Sequence, residues 1–579
     1  YADEKETAVQ ATVGMKADLS KLVKGLSVNV DFSFDFNNVY VKKYGKTSDM
    51  FLFNSDGSYT HKAFASALGF GDELSVYNSQ YVFEPSINYN NTFGDHEVSG
   101  LVLFNAQEYV KKGDALTRLP YRRLGLVGRA TYSYKNKYLG EVNIGYNGSE
   151  NFAPGNRYGF FPAVSGGWVL TQEEFLKDNP VVNFLKIRAS YGIVGNDRVS
   201  DGSRFLYLPD SYIISSGNYG FGSSNDYKLP GAIESKIGNP NVTWETASKQ
   251  NYGVDMHFFD GHLKTSFDYF VEHRKDILLT RKLDPGYLAV KLPTVNMGKV
   301  DNKGFEVTAR WEDKIQNVSY YVGTSWSYAK NKIIFQDEIP QPYEWMEQTG
   351  RPVGQQFGYV TDGFFSQEDV EKYAINKGME GGIPDHNFSP KAGDVKYRDL
   401  NGDYKIDDKD VAAIGYPKYP LLTGNMSLGF SWNGLDFSMV WSGAFKTSRL
   451  VSSFYRVPFD TTNNRALLSY MIKDAWTPEK GNSSTAPAIS FGASKANNYK
   501  DSDLWLRDAS YVRLKNIELG YSFPKQIVKK MHLGTLRLSV SGYNLLTFDD
   551  MGFCDPESNP DGQAYPLIKV VNFGLKVGF

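Results

Sequence analysis

The chain has 579 residues, 41% of them hydrophobic, with 63 Lys and Arg against 65 Asp and Glu and a formal net charge of -2. This balance, with no long basic stripe, argues against nucleic acid as a partner. No run approaches the roughly 18 apolar residues of a helical membrane span, and the single Cys554 excludes an internal disulfide framework or a cysteine metal cluster.

The first residues, YADEKETAVQATVGMKADL, carry no signal-peptide pattern and read as the middle of a protein, so the C-terminal part of a longer exported chain is expected. About 17 strand-like segments follow in order, at 8–19, 26–36, 80–93, 96–110, 124–136, 138–152, 161–171, 181–194, 243–259, 262–278, 303–315, 318–334, 420–432, 435–447, 511–523, 533–547 and 566–579. Soluble strands average about 5 or 6 residues. A strand crossing lipid needs about 9–11, and these segments are longer than that.

Their faces alternate. Val142, Ile144 and Tyr146 oppose Glu141, Asn143 and Gly145, and Leu185, Ile187, Ala189, Tyr191 and Ile193 oppose Lys186, Arg188, Ser190 and Gly192. Met426, Leu428, Phe430 and Trp432 oppose Asn425, Ser427, Gly429 and Ser431. The chain ends VVNFGLKVGF, with Val571, Phe573, Leu575, Val577 and Phe579 on one side and Asn572, Gly574, Lys576 and Gly578 on the other. One side suits hydrocarbon and the other water. The 39 Tyr and 38 Phe, within an aromatic content of 15%, fit the rings that girdle a barrel at both membrane interfaces.

The connections alternate as well. One set falls at 37–79, 111–123, 153–160, 195–242, 279–302, 335–419, 448–510 and 548–565, and seven of these eight, all but 153–160, exceed every connection of the other set. Between them lie short ones at 20–25, 172–180 and 524–532, and tight turns near Gly94-Asp95, Asn136-Lys137, Asp260-Gly261, Gln316-Asn317 and Asn433-Gly434. Asn-Gly and Asp-Gly are strong hairpin signals. Long loops outside and short turns inside is the outer-membrane layout. Soluble β-sandwiches or a secreted β-helix also alternate, but they explain neither the strand lengths nor the parity of the loops. The expectation is an all-β fold, a transmembrane antiparallel β-barrel, with long extracellular loops at about 37–79, 195–242, 335–419 and 448–510.

Two loops carry candidate chemistry. DLNGDYKIDDKD at 399–410 places Asp399, Asn401, Asp403, Asp407 and Asp410 at positions 1, 3, 5, 9 and 12, with the Lys405 carbonyl at position 7. That spacing can wrap hard oxygen ligands around a structural Ca²⁺, although Tyr404 stands where an EF-hand has glycine and position 12 is Asp rather than Glu. The spacing is closer to a dockerin-type loop, with Gly402 at position 4. Aromatic faces and polar side chains suited to a sugar occur as Tyr343, Trp345, Arg351, Phe357, Tyr359, Phe364 and Phe365 in one loop and Tyr455, Trp476 and Trp505 in another. No catalytic constellation accompanies them. Seven scattered His form no HxxxH pair, SSGNYGFGSS at 215–224 lacks the lysine of a phosphate loop, and there is no G-x-S-x-G elbow. The protein is therefore read as no enzyme.

Several segments together resemble the C-terminal part of the SusC/RagA-type TonB-dependent transporters of Bacteroidetes. They are FPAVSGGWVLTQEEF at 161–175, LKIRASYGIVGND at 185–197, NPNVTWETASKQNYGVDMHFFDGHLKTSFDYF at 239–270, KVDNKGFEVTARW at 299–311 and YPLIKVVNFGLKVGF at 565–579. The resemblance implies a 22-stranded barrel in the complete protein, with a plug domain and opening strands N-terminal to this chain. It also implies import powered through TonB, and a SusD-like surface lipoprotein closing over the long loops. The implied substrates are oligosaccharides or, in some members, oligopeptides. A siderophore or cobalamin receptor is the alternative within transport, and a surface binding or adhesion protein the alternative outside it.

Overall fold

The computed structural model describes residues 2–113, 118–198, 204–208, 212–214, 219–222, 227–229, 231–234, 237–282, 292–459, 467–552, 554–558 and 567–579. Part of the 215–224 segment lies outside these residues. Seventeen long strands belong to one sheet. They are β1 (Ala2–Asp18), β2 (Leu26–Gly45), β3 (Gly69–Phe93), β4 (His96–Lys111), β5 (Tyr121–Tyr134), β6 (Tyr138–Ser149), β7 (Tyr158–Val169), β8 (Val182–Asn196), β9 (Glu245–Phe258), β10 (Leu263–Thr280), β11 (Thr294–Ile315), β12 (Val318–Phe335), β13 (Leu422–Trp432), β14 (Leu435–Phe445), β15 (Tyr511–Ser522), β16 (Thr535–Asp549) and β17 (Val570–Gly578).

By contacts the chain divides into two units, Tyr1–Trp168 with Arg188–Lys249 and Lys275–Met297, and Val169–Ile187 with Gln250–Arg274 and Gly298–Phe579. In the first, β1 to β7 pair antiparallel, each with the next. In the second, β11 to β17 do the same. This is a meander in chain order, so successive connections fall at alternate strand ends. The tight turns use left-handed backbone. Lys135 and Asn136 both have φ 53°, and Asn433 and Gly434 have 46° and 90°, as two-residue hairpins of the primed type require.

All seventeen predicted strands are present, and the largest differences are at their far ends. β2 and β3 stay paired to Gly45↔Gly69, well past the predicted 26–36 and 80–93. The expected 37–79 loop therefore shrinks to 46–68, which holds a hairpin of Met50–Phe53 with Tyr59–Ala63. The extra length includes Lys42, Lys43, Asp72 and Glu73, so its sequence looks like loop although its backbone remains in the ladder.

Burial inverts the pattern of a water-soluble domain. The apolar side of β17 is open, with Phe573 86% and Leu575 66% exposed, and Val102, Leu126, Val142, Ile144, Ile187, Met426 and Leu538 are exposed along other strands. Polar side chains form cross-strand bonds on the other side. In the first unit Arg129 meets Glu141 at 2.8 Å and Asn105 donates to Glu84 at 2.5 Å. In the second, Arg537 reaches Asp436 at 2.5 Å and Glu518 at 2.6 Å. Such a wall is stable where hydrocarbon covers the apolar side and water the polar one.

A cation on the apolar side tests this directly. Leu575→Arg is expected to cost up to about 4 kcal/mol of assembly free energy, read as a smaller folded, heat-modifiable band after expression. Lys576→Gln, on the opposite side, should leave that band unchanged.

Candidate substrate-binding site

The second unit carries an ordered loop body built from the described residues of the connections, 336–421, 446–459 and 467–510. Small ladders frame it: Gln356–Tyr359 pairs with Val411–Ile414, Thr361–Phe364 with Val395–Tyr397, and Ser448–Leu450 with Leu506–Asp508. A helix, α1 (Gln367–Asn376), starts on a capping box in which Ser366 and Asp369 bond each other's backbone N–H. Tyr359, Phe364, Val395, Tyr397 and Ile406 form a buried cluster, with Trp476 and Leu504 from the second connection packed against it. Tyr397 Oη donates to the Asn497 carbonyl at 2.8 Å, and Asn498 Nδ2 and Ser494 Oγ donate to the two oxygens of buried Asp394.

This packing sorts the aromatic candidates. Tyr359, Phe364, Phe365 and Trp505 are buried within the body, and Trp476 packs against the main core cluster. Tyr343 and Trp345 stack at 4.5 Å, and the Trp345 indole donates to the Lys409 carbonyl at 2.8 Å. Arg351 lies 5.9 Å from the Phe357 ring and donates to the carbonyls of Glu344, Trp345 and Glu347, bracing that arm. Tyr455 and Trp505 instead meet at a cavity of about 650 Å³, also lined by Arg456, Tyr470, Asp474, Ser484, Arg507, Asp550 and Met551. That volume is in the range of small-ligand sites. Burial pushes the Arg507 guanidinium's pKa down, against the pull of Asp474, and its Nη1 donates to the carbonyls of Leu504 and Leu506.

The acidic loop is closed by its own amides. Asp399 accepts from Gly402 N and Tyr404 N, both at 2.7 Å. Asn401 accepts from Asp403 N, Asp403 from Lys405 N and Asp407 from Lys409 N. Buried Asp410 accepts from Leu400 N and Asp407 N, and desolvation pushes its carboxyl pKa up. Tyr404 takes the left-handed φ of 61° at the position where an EF-hand has glycine. The Lys409 ammonium stands 3.4 Å from Asp403 and 3.8 Å from Asp407. Among the described residues no three His, Cys, Asp or Glu side chains converge on a metal position. This arrangement gives the calcium expectation no support.

Close in sequence to the cavity residues Asp550 and Met551 lies an anchor that sequence reading missed. Arg513, on β15, has no exposed surface. Its Nη1 and Nη2 donate to Glu557 and Asp555, both at 2.5 Å, and its Nε to Thr547 Oγ1 at 3.1 Å. Tyr511 Oη also donates to Glu557, and Arg449 to the Ser558 carbonyl. These bonds tie down residues 554–558, which follow the cavity residues Asp550 and Met551 in the chain. The partners are 42 and 44 residues from Arg513, so no local spacing announces them.

Two measurements probe this body. Arg513→Ala strands two carboxylates, and breaking such a buried pair costs about 3–5 kcal/mol. Half-buried Cys554, within the pinned segment, should then react about 10-fold faster with a maleimide, the rate being set by segment opening; an unchanged rate would show that other contacts hold the segment. His386 tests acid sensitivity. Its Nδ1 donates to the Pro384 carbonyl and its Nε2 accepts from Tyr397 N. Burial pushes its pKa down to about 4, with Lys500 and Lys396 acting in the same direction and Asp385 opposing. The neutral form is required in the fold while the unfolded ring protonates near 6.5, so stability is lost as pH falls from about 6.5 to about 4, to a limit of about 3 kcal/mol. Proteolysis within 336–510 should accelerate across that window.

Comparison with known proteins gives the family. Residues 11–545 match the family model "TonB dependent receptor-like, beta-barrel". TonB-dependent receptor P3 of Formosa agariphila is 25% identical over 618 residues, covering 96% of this chain and 57% of the relative. TonB-dependent receptor SusC of Bacteroides thetaiotaomicron is 26% identical over 601 residues, covering 96% of this chain and 55% of that protein. The structure of the RagAB peptide transporter superposes with a TM-score of 0.73 at 18% identity, covering 100% of this chain and 62% of that one, a likeness of fold. The chain spans about half the length of the curated relatives it matches. The lipid-compatible wall and these matches lead to one conclusion: the chain belongs to the TonB-dependent receptor β-barrel family of the bacterial outer membrane.

Proposed function

We propose that this chain is the wall and loop portion of an importer that takes oligosaccharides across the outer membrane, powered through TonB and paired with a SusD-like surface lipoprotein. The observation that carries the reading is the ordered loop body on the barrel wall, whose cavity of about 650 Å³ combines aromatic and polar side chains. Such a mixture suits a ligand with apolar ring faces and many hydroxyls. The partner and the energy source rest on the family resemblance. An oligopeptide is the second reading, favoured by the peptide transport named for the RagAB structure. Chemistry on the substrate forms no part of the reading, since import needs binding and release alone.

Deletion of the gene tests the proposal. Growth on at least one purified polymeric glycan should be lost, while growth on its monosaccharide and on a peptide digest persists. Loss confined to the peptide digest would replace the glycan reading with the oligopeptide one.

A further inference from the structure

Buried polar groups in a folded protein are almost always hydrogen-bonded, and each exception calls for an explanation. Among the described residues, Arg456 alone leaves two buried side-chain nitrogens, Nε and Nη1, without an acceptor. The residue is 9% exposed, and its remaining nitrogen, Nη2, is taken by Asp501. Ser484 Oγ is likewise buried and unpartnered. Both residues line the cavity described above. Across the same lining, the carboxylates of Asp474 and Asp550 carry no hydrogen bond among the described residues, whereas Asp503 is satisfied by the Thr361 N–H and hydroxyl. The cavity thus combines unused donors and unused acceptors.

Charge narrows the ligand. The cation of Arg456 is already met by Asp501, which leaves Arg507 facing Asp474, Asp503 and Asp550. An anion would enter a lining with excess negative charge. A cation would meet Arg507 and the idle donors of Arg456. A neutral group that donates and accepts at once suits both sets, and a hydroxyl does so. Vicinal hydroxyls can also serve both oxygens of one carboxylate. An extended peptide cannot, because N–H groups on one edge recur every second residue, about 7 Å apart. Tyr455 and Tyr470 add aromatic surface for the apolar face of a pyranose.

We propose that this cavity is a subsite for a neutral pyranose unit, with Arg456 and Ser484 on one side of the sugar and Asp474 and Asp550 on the other. The proposal rests on the glycan-import reading and specifies the group bound. Binding of maltose, cellobiose and mannobiose to the full purified protein in detergent, followed by saturation-transfer NMR and titration calorimetry, tests it, with trialanine as competitor. At least one disaccharide should bind. Its affinity should fall about 10-fold in Asp474→Ala, a position whose carboxylate has no hydrogen bond to lose among the described residues, and similarly in Arg456→Met, and trialanine should not displace it. Equal affinity in wild type and Asp474→Ala would overturn the subsite while leaving glycan import in place. No disaccharide binding, or displacement by trialanine, would overturn both.

Discussion

The constraint on which this molecule depends is that backbone N–H and C=O groups facing hydrocarbon must be satisfied without water. A long antiparallel meander meets it, because each interior strand bonds a neighbour on either edge and each connection lies outside the apolar layer. Registers such as Ala2↔Lys43 through Asp18↔Ser27, running without interruption, show how completely the ladder is used. Side-chain alternation follows from this backbone choice. Once the strands are fixed, every second residue belongs to lipid and every other one to water, and a slip of one position would exchange the two.

A wall of this kind has no apolar interior, so hydrophobic cores appear elsewhere. In the first unit Phe152, Leu206, Val242, Trp244 and Leu278 cluster; of these, only Leu278 belongs to a long strand, near its end. In the second, the cluster around Tyr359, Val395 and Tyr397 lies wholly in connections. The described parts of these connections therefore carry cores of their own. Their order offsets the conformational entropy that long loops would otherwise retain, and it fixes side chains well enough to shape a cavity.

How much of this was legible follows from the range of the interactions. The strands could be read because period-two alternation is local: Val142, Ile144 and Tyr146 declare their side within five residues. The hairpins could be read because left-handed backbone at Asn433-Gly434 needs those residue types. The extension of β2 and β3 to Gly45↔Gly69 was hidden, since beyond the apolar layer both sides of a strand face water and the alternation fades. The loop body was hidden for a different reason. Tyr359, Phe364 and Trp505 looked like surface aromatics because nothing local says that Asn497 and Asn498 will meet Val395 and Tyr397 a hundred residues away. The cavity residues Asp474, Ser484, Arg507 and Asp550, and the pinning residue Arg513, share that character.

Import, as proposed, would place opposite demands on such a site. It must hold a ligand long enough to commit it and weakly enough to release it. An ion pair buried on binding carries a large desolvation penalty on entry and strands a charge on exit. Hydrogen bonds exchanged with water have small net energies of about 0.5–1.5 kcal/mol each, and several in parallel give selectivity with easy reversal. The proposed subsite fits those demands: Asp501, outside the lining, meets the charge of Arg456 through Nη2, while Nε and Nη1 of Arg456 and the carboxylates of Asp474 and Asp550 would make neutral-ligand bonds that water can replace. Arg513, Asp555 and Glu557 commit their charges to one another, so the residues that follow Asp550 in the chain are held by ion pairs, while the proposed subsite offers a sugar only hydrogen bonds of small net energy.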